Sequence, residues 1–312
     1  MIITVTLNPA LDKMIYLKEL RCGRLNRSSR VTVRAGGKGI NVARILHGMG
    51  EKVLAMGIAG GYIGERLEEL LREEGLPARL TGSRYISREN IKIIEENKRE
   101  TEINQEGKVD PESFQNFKEE LEERLPEASL LILSGSLPQG LPVDTYRELL
   151  SLANGHDVPV ILDSSGPPFK YALESRPYLI KPNINELSEL AGEKVRFVPD
   201  VQRVVKRLLE VGIKNIVVSM GRKGAYLANG EESYLIIAPD IMIADTTVGA
   251  GDTMVAGLAI ARQRGYGLLE MGKYATALAT LYVSGDKMTE ENIEKMLARL
   301  EVMDGDFPYE KL

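Results

Sequence analysis

The strongest constraint on this chain is a rhythm in which short β-rich apolar runs alternate with longer segments whose apolar residues recur at helical spacing. Residues 2–7 form one such run, closed by Asn8-Pro9, which reads as a strand and then a turn. After a glycine cluster, Ile40, Ala43, Leu46 and Met49 recur at threes, so a helix is expected to open near Lys38 and stop at Gly50. Residues 53–56 read as the next strand. Ile63, Leu67, Leu70 and Leu71 then lie opposite Glu65, Glu68, Glu69 and Glu73 on an amphipathic helix closed by Gly75. The alternation resumes after Pro111, with helices over about 112–124, 142–154 and 199–211 and strands over 130–133, 158–162, 178–180 and 216–219. Two β-rich runs, 225–227 and 234–237, precede closing helices at about 250–264, 268–283 and 290–300. Buried parallel strands joined by helices make a doubly wound sheet, so the expected class is α/β, a mostly parallel sheet flanked by helices.

Two stretches break the rhythm. Residues 86–95 and 99–104 read as a hairpin around Glu96-Asn97-Lys98 with mixed faces, and residues 12–34 fit no βαβ unit. They are read together as a small β-sheet projecting from the main one. The expected division is a major domain from residues 1–11, 35–83 and 107–312, with a discontinuous β lid from 12–34 and 84–106.

Composition narrows the chemistry. One cysteine, Cys22, excludes an intramolecular disulfide and a multi-thiolate zinc site, and two histidines leave no HExxH motif. With 40 Lys and Arg against 45 Asp and Glu, the net charge of −5 offers no bulk neutralisation of a nucleic-acid backbone, so no nucleic-acid partner is expected. No apolar run approaches the roughly 20 residues that span a bilayer, and Asn8, Pro9 and Asp12 are unlike a signal peptide. A cytoplasmic enzyme with no membrane partner is the expectation, working with carboxylates, cations and backbone amides.

Ligands of open α/β sheets sit beyond the carboxyl ends of the strands. Asn8, Ser134-Gly135-Ser136, Asp163-Ser164-Ser165, Lys181-Pro182-Asn183 and Ser219-Met220-Gly221 each follow an expected strand, which places them along one crevice. The most informative run is 246–253, TTVGAGDT, ahead of a small-residue helix. Small residues at Gly249, Ala250 and Gly251 let free amides converge at a helix N-terminus, a site for phosphate charge. Asp252, in the first turn, can take a proton from a hydroxyl attacking phosphorus. Read alone, the run is equally an ordinary helix start with aspartate as dipole partner. Residues 35–41, AGGKGIN, open a second helix without the GxxxxGK[ST] spacing, and alone they are as readily a tight turn.

Together these two runs resemble the paired signature of the ribokinase-like (PfkB) sugar kinases. TLNPALD at 6–12, Asn26, SGSLPQG at 134–140, DSSG at 163–166 and KPNINEL at 181–187 fall in that family's order, so the resemblance spans essentially the whole chain. It is nearest the phosphosugar branch, the kinases of fructose 1-phosphate, tagatose 6-phosphate and fructose 6-phosphate. The resemblance implies Asp252 as catalytic base and Gly249, Ala250 and Gly251 as an anion hole for the transferred phosphoryl group. It implies that Asn183 and Glu186 organise Mg²⁺ through water, although that NxxE pair alone reads as a helix cap with a first-turn acid. Lys181 would approach the phosphates of ATP, with Ser219, Gly221, Gly224, Thr247 and Val248 lining the nucleotide site. Asp12, Asn41, Gly36 and Gly37 would hold sugar hydroxyls, and Ser136, Lys38, Arg24 and Arg88 would surround the phosphate already on the substrate. Arg88 alone would read as a solvated charge.

Lys38 between two glycines resembles the fructose 1-phosphate and tagatose 6-phosphate kinases, whereas the Arg88-to-Lys92 spacing resembles the former. Glu102 suits both. The resulting expectation is phosphorylation of fructose 1-phosphate by ATP, with tagatose 6-phosphate or fructose 6-phosphate as alternatives and monovalent-cation activation left open. A homodimer through the β lid is also implied. Thr246 departs from the family pattern, which has Asp, Asn, Ser or Lys there. Two readings of other classes fit the sequence less well. A dinucleotide oxidoreductase needs GxGxxG where Asn8-Pro9-Ala10 stands, and a non-catalytic sugar-phosphate sensor would not need Asp252.

Overall fold

The structure, a computed structural model, describes residues 1–244 and 247–304. The alternating runs become strands β1 (Ile2–Thr6), β2 (Ala10–Leu17), β3 (Arg30–Gly36), β4 (Val53–Gly60), β5 (Ala78–Ser83), β6 (Arg88–Glu95) and β7 (Glu100–Asn104). They continue as β8 (Leu130–Ser134), β9 (Val160–Asp163), β10 (Leu179–Ile180), β11 (Asn215–Ser219), β12 (Ala225–Asn229), β13 (Ser233–Ile237) and β14 (Glu301–Asp304). Helices α1 (Lys38–Gly48), α2 (Gly61–Glu73), α3 (Pro111–Arg124), α4 (Thr145–Gly155) and α5 (Gly166–Ala172) occupy the first part of the chain. The second part carries α6 (Ile184–Ala191), α7 (Val198–Glu210), α8 (Ala250–Gln263), α9 (Leu268–Ser284) and α10 (Glu290–Leu297).

The main sheet runs β14-β13-β12-β11-β10-β9-β8-β1-β4-β5. It is parallel from β5 through β11 and antiparallel from β11 to β14. Its central strands bury both faces, which is why they read as unbroken apolar runs. Side chains alternate between two cores: Ile2, Leu130, Ile132, Ile161 and Val217 point into one, while Ile3, Val5, Leu131, Leu133, Leu162 and Val218 point into the other. Helices α1, α2, α8, α9 and α10 cover the first face, and α3, α4, α6 and α7 cover the second.

A separate small sheet has the order β3-β2-β6-β7, with β2 and β6 parallel and both flanking pairs antiparallel. Its register sets Asp12 against Asn90 and Arg34, and Lys92 against Met14 and Glu102. One face therefore carries Asp12, Asn90, Lys92, Glu102 and Asn104, and the other Ile15, Val31, Val33, Ile91 and Ile103. Strands β2 and β3 reach past residues 12–34 because Ala10 and Leu11 still pair with Gly36 and Ala35. Several elements have no counterpart in the sequence reading. β5 is an edge strand with mixed burial, α5 begins with Gly166-Pro167-Pro168, and β14 adds only four residues.

Helix α8 is buried from Asp252 to Ala261, packed between α1 and α9. Close approach is possible because Gly257 lacks a side chain: a Cβ there would lie 2.7 Å from the Cα of Ala275 on α9. Gly257→Ala would gain helix propensity of up to about 1 kcal/mol, but the obstacle is backbone and cannot rotate away. The expected net result is destabilisation by about 1–3 kcal/mol, read as a melting temperature several degrees below that of the unaltered protein. An unchanged or higher melting temperature would show that α9 moves freely to accommodate the methyl.

Candidate active site

The carboxyl ends of β9, β10 and β11 open together into a cleft of about 740 Å³, roofed by the polar face of the small sheet, and those of β1 and β8 border a smaller cavity beside it. At the tip of the β6–β7 hairpin, Lys98 Nζ donates to the Ala244 carbonyl at 3.2 Å, so the small sheet reaches across the cleft.

The α8 N-terminus forms one wall. Gly249 caps the helix with φ 95, a left-handed conformation that favours glycine, and a Cβ there would meet the Tyr282 hydroxyl at 2.6 Å. Tyr282 Oη donates to the Val248 carbonyl at 3.1 Å and steadies this turn. Asp252 follows in the first turn, buried, with Oδ2 accepting a 2.8 Å hydrogen bond from Asn41 Nδ2 on α1. Thr246 and its neighbour Asp245 lie outside the described residues.

Asp163, at the end of β9, organises the floor. Its Oδ1 pairs with Lys181 Nζ at 3.1 Å, and its Oδ2 with Lys38 Nζ at 3.4 Å while accepting from Ser134 Oγ at 3.2 Å. Burial alone would raise the Asp163 pKa, but the two ammonium groups outweigh it and hold the carboxyl below its ordinary range. Asp163 in turn raises the Lys38 pKa. Asp252 moves the other way. Burial first, then the negative charge of Asp163, pushes its carboxyl up to about 6, against Asn41, Lys38 and Lys181. The result is a carboxylate that is ionised at neutral pH yet basic enough to accept a proton.

On the small-sheet side, Asp12 is buried and its Oδ1 accepts from Asn90 Nδ2 at 2.9 Å. A Cβ on Gly36 would collide with the Asp12 carboxylate at 2.2 Å, so glycine is needed for that close approach. Gly37 lines the same cleft. A second cavity, about 190 Å³, adjoins it and is lined by Thr6, Asn8, Lys38, Arg88 and Ser136 among others. Arg88 is anchored there by Nε donating to the Asn8 carbonyl at 3.2 Å, and the Asn8 amide donates to Ser136 Oγ at 3.3 Å. Two cations and a hydroxyl thus converge on a space sized for a phosphate group. Lys92 pairs with Glu102 at 3.2 Å across β6 and β7 at the cleft edge. Arg24 joins neither cavity. It lies exposed in the loop between β2 and β3, where its carbonyl accepts from Asn26 Nδ2, so of the four expected phosphate contacts only Lys38, Arg88 and Ser136 line this cavity within one chain.

Across the cleft, Ser219, Gly221, Gly224, Thr247 and Val248 line the remaining wall with Ile241, Ile243, Ala279 and Val283. Lys181 stands against the first turn of α8, about where a Gly251 Cβ would sit 3.7 Å from its Nζ. Asn183 caps α6: its Oδ1 accepts from the Asn185 and Glu186 amides at 2.9 and 3.0 Å, while Glu186 Oε2 accepts from the Asn183 amide at 2.8 Å. The cap reading of that pair is therefore realised. Glu186 Oε1 still faces the cleft, 3.9 Å from Lys38 Nζ. Among the described residues no group of three or more His, Cys, Asp or Glu could hold a metal ion directly.

Asp163 and Asn90 were not singled out as site residues from sequence. Asp163 carried a signal, its place after an apolar strand, whereas Asn90 became legible only once β6 was set in register beside Asp12.

The chain matches the pfkB family carbohydrate kinases over residues 5–295. It is 36% identical over 308 residues to the 1-phosphofructokinase of Borreliella burgdorferi, covering 97% of this chain and 99% of that one. Its identity to the 1-phosphofructokinase of Bacillus subtilis is 35% over 306 residues, with the same coverage of 97% and 99%. In structure it resembles phosphofructokinase-2 from Escherichia coli in complex with potassium, with a TM-score of 0.88, 28% identity, and coverage of 95% of this chain and 98% of that one. The same Escherichia coli enzyme has also been solved as a tetrameric inhibited form. With cleft, glycine-led helix start and near-complete matches in agreement, this chain belongs to the pfkB family of carbohydrate kinases.

Proposed function

We propose that this ATP-dependent sugar kinase phosphorylates fructose 1-phosphate to fructose 1,6-bisphosphate. The observation that carries the reading is buried Asp252 in the first turn of α8, lining a cleft that offers two candidate anion sites. The first is the adjoining cationic cavity of Lys38, Arg88 and Ser136, and the second is the α8 amides beside Lys181. A ketohexose phosphate seated with its phosphate in the first and its hydroxyls on Asp12, Asn41 and the Gly36–Gly37 backbone would direct its free terminal hydroxyl at Asp252. That oxygen attacks the γ-phosphorus as the bond to the ADP oxygen breaks. Asp252 takes the hydroxyl proton, and the Gly249, Ala250 and Gly251 amides receive the negative charge on the transferred group.

The nucleotide would lie along Ser219, Gly221, Gly224, Thr247 and Val248, with the base against the apolar side chains of Ile241, Ile243, Ala279 and Val283. Mg²⁺ would be held through water by Glu186, whose Oε1 is uncommitted to the cap, and by Asn183, and would neutralise charge on the β- and γ-phosphates. Potassium in the Escherichia coli relative is consistent with monovalent-cation activation. The small sheet acts as a lid that closes over the sugar and excludes water. Its outer face leaves Val31 46%, Val33 37% and Ile103 54% exposed, which supports a homodimer formed through the lids. The reaction suits a cytoplasmic enzyme, and among the described residues no helix is long and apolar enough to cross a membrane.

The decisive assay is ATP consumption with fructose 1-phosphate, tagatose 6-phosphate and fructose 6-phosphate compared by kcat/KM. Fructose 1-phosphate should lead, and Lys92→Met should lower its kcat/KM by roughly 10- to 100-fold through the lost cation. A preference for fructose 6-phosphate would overturn the substrate assignment, and no turnover of any sugar would favour the sensor reading.

Asp252→Asn should cut kcat by about 10³-fold or more while leaving ATP binding nearly intact. Its stability effect has the opposite sign. The folded-state pKa of about 6 lies above the ordinary 3.8, so the ionised side chain costs stability above pH 6, on the order of 3 kcal/mol, and protonation relieves that cost as pH falls towards 4. The variant should therefore melt several degrees higher at pH 8, with the gap narrowing by pH 4. A variant that retains kcat would remove Asp252 as the base.

The lid-mediated dimer is checked by sedimentation of a Val31→Glu/Ile103→Lys double variant. It should sediment as a monomer where the unaltered protein is a dimer, and an unchanged assembly would place the interface elsewhere.

A further inference from the structure

Asn41 can serve Asp252 only in one of its two amide orientations, with Nδ2 rather than Oδ1 towards the carboxylate. The opposite end of that amide is occupied. Arg44, one helical turn along α1, donates from one terminal nitrogen to Asn41 Oδ1 at 3.0 Å. Its other terminal nitrogen donates to the Ala35 carbonyl at 2.8 Å, at the end of β3. The guanidinium is itself clamped by Glu74, just beyond α2, through Nε to Oε2 at 2.7 Å and a terminal nitrogen to Oε1 at 3.1 Å. A flipped Asn41 amide would set its oxygen against the Asp252 carboxylate and its NH₂ against a guanidinium that has no acceptor. Both contacts are repulsive, so Arg44 and Asp252 select the same orientation from opposite sides.

We propose that Arg44, held by Glu74, is a positioning residue that keeps the Asn41 amide donating to Asp252 and so keeps the base ionised. Neither Arg44 nor Glu74 lines either cavity. The inference rests on reading Asp252 as the base. The groups that face Asp252 are Lys38 and Asn41 from α1, Asp163 from β9 and Lys181 after β10. Arg44 reaches it only through Asn41. The Asn41 hydrogen bond opposes the upward push of burial and Asp163 on the Asp252 pKa. Losing it should raise that pKa.

The test is the acid limb of kcat/KM against pH, which reports the free enzyme. The substrate phosphate titrates in the same region for every variant, so differences between variants isolate the protein group. Asn41→Ala should move the limb up by about one unit, from near 6 to near 7, which lowers kcat/KM, normalised to each enzyme's own plateau, about twofold at pH 7 and about eightfold at pH 5.5 relative to the unaltered protein. Arg44→Met should move it in the same direction by about half a unit or more, and Arg44→Met added to Asn41→Ala should move it no further. Arg44→Lys, which keeps the charge but loses the fork, should still shift the limb. If the Arg44 variants do not fold, Glu74→Gln carries the same test: a smaller upward shift alone and none in the Asn41→Ala background. Shifts that add across the double variant, or no shift on changing Arg44 or Glu74, would overturn the positioning role while leaving Asp252 as base. An unmoved limb in Asn41→Ala would instead remove Asp252 as the titrating group, and the proposal with it.

Discussion

A single buried carboxylate, Asp163, governs the electrostatics of the cleft. It is fully enclosed at the end of β9, and it draws Lys38 from the start of α1 and Lys181 from the end of β10 to within 3.1–3.4 Å. Desolvating Asp163 and Lys181 is expensive, and a buried ion pair is weak evidence for stability. The arrangement makes better sense as position. Two long, flexible ammonium side chains are held at fixed points in the cleft that Asp252 lines, Lys38 also bordering the adjoining cavity and Lys181 standing beside the first turn of α8. Asp163 also raises the basicity of Asp252, which two lysines alone would depress. One charge therefore places the cations and tunes the proton affinity of Asp252.

That arrangement depends on the topology. Asp163 and Lys181 end neighbouring parallel strands, and Lys38 opens the helix that follows the small sheet and packs beside β1. A parallel sheet aligns all its carboxyl ends, so residues distant in sequence meet without special loops. The small sheet supplies what the strand ends cannot. Its polar face brings Asp12, Asn90, Lys92 and Glu102 over the same floor, and its alternation puts isoleucines and valines on the opposite side. One register thus serves the site with one face and leaves the other apolar.

How much of this was legible in the sequence follows physical lines. The central strands were readable because burial on both faces leaves unbroken apolar runs, α1, α2, α7 and α10 because their periodicity is strong, and α8 and α9 because their apolar stretches run too long for strands. The glycine-rich helix starts were readable because Gly36 and Gly249 answer close approaches that no other residue permits. Edge strand β5 and the short α5 were not, since half-exposed strands and proline-led helices carry no clean period. Within the site, residue types at strand ends were visible, but their mutual roles were not. Asn41 and Asp252 are 211 positions apart, and Arg44 meets Glu74 from 30 positions away. An asparagine and an arginine three apart on a helix look like surface neighbours until a third element shows which way the amide must face. Arg24 is the converse case: a cation in the right motif whose own chain leaves it outside both cavities.

The same reasoning explains why the site tolerates an unfavourable carboxylate. Asp252 lies where a helix N-terminus should favour negative charge, yet burial and the field of Asp163 raise its pKa against the Asn41 hydrogen bond and two nearby lysines. A fold selected only for stability would protonate or replace this group. The cost is borne by α8, buried on almost every side between α1 and α9, whose packing holds the first turn rigid without help from a favourable cap. The dense α8–α9 contact at Gly257 and the left-handed turn at Gly249 are therefore parts of one device, a helix anchored along its length so that its first turn can hold a charge it would otherwise expel.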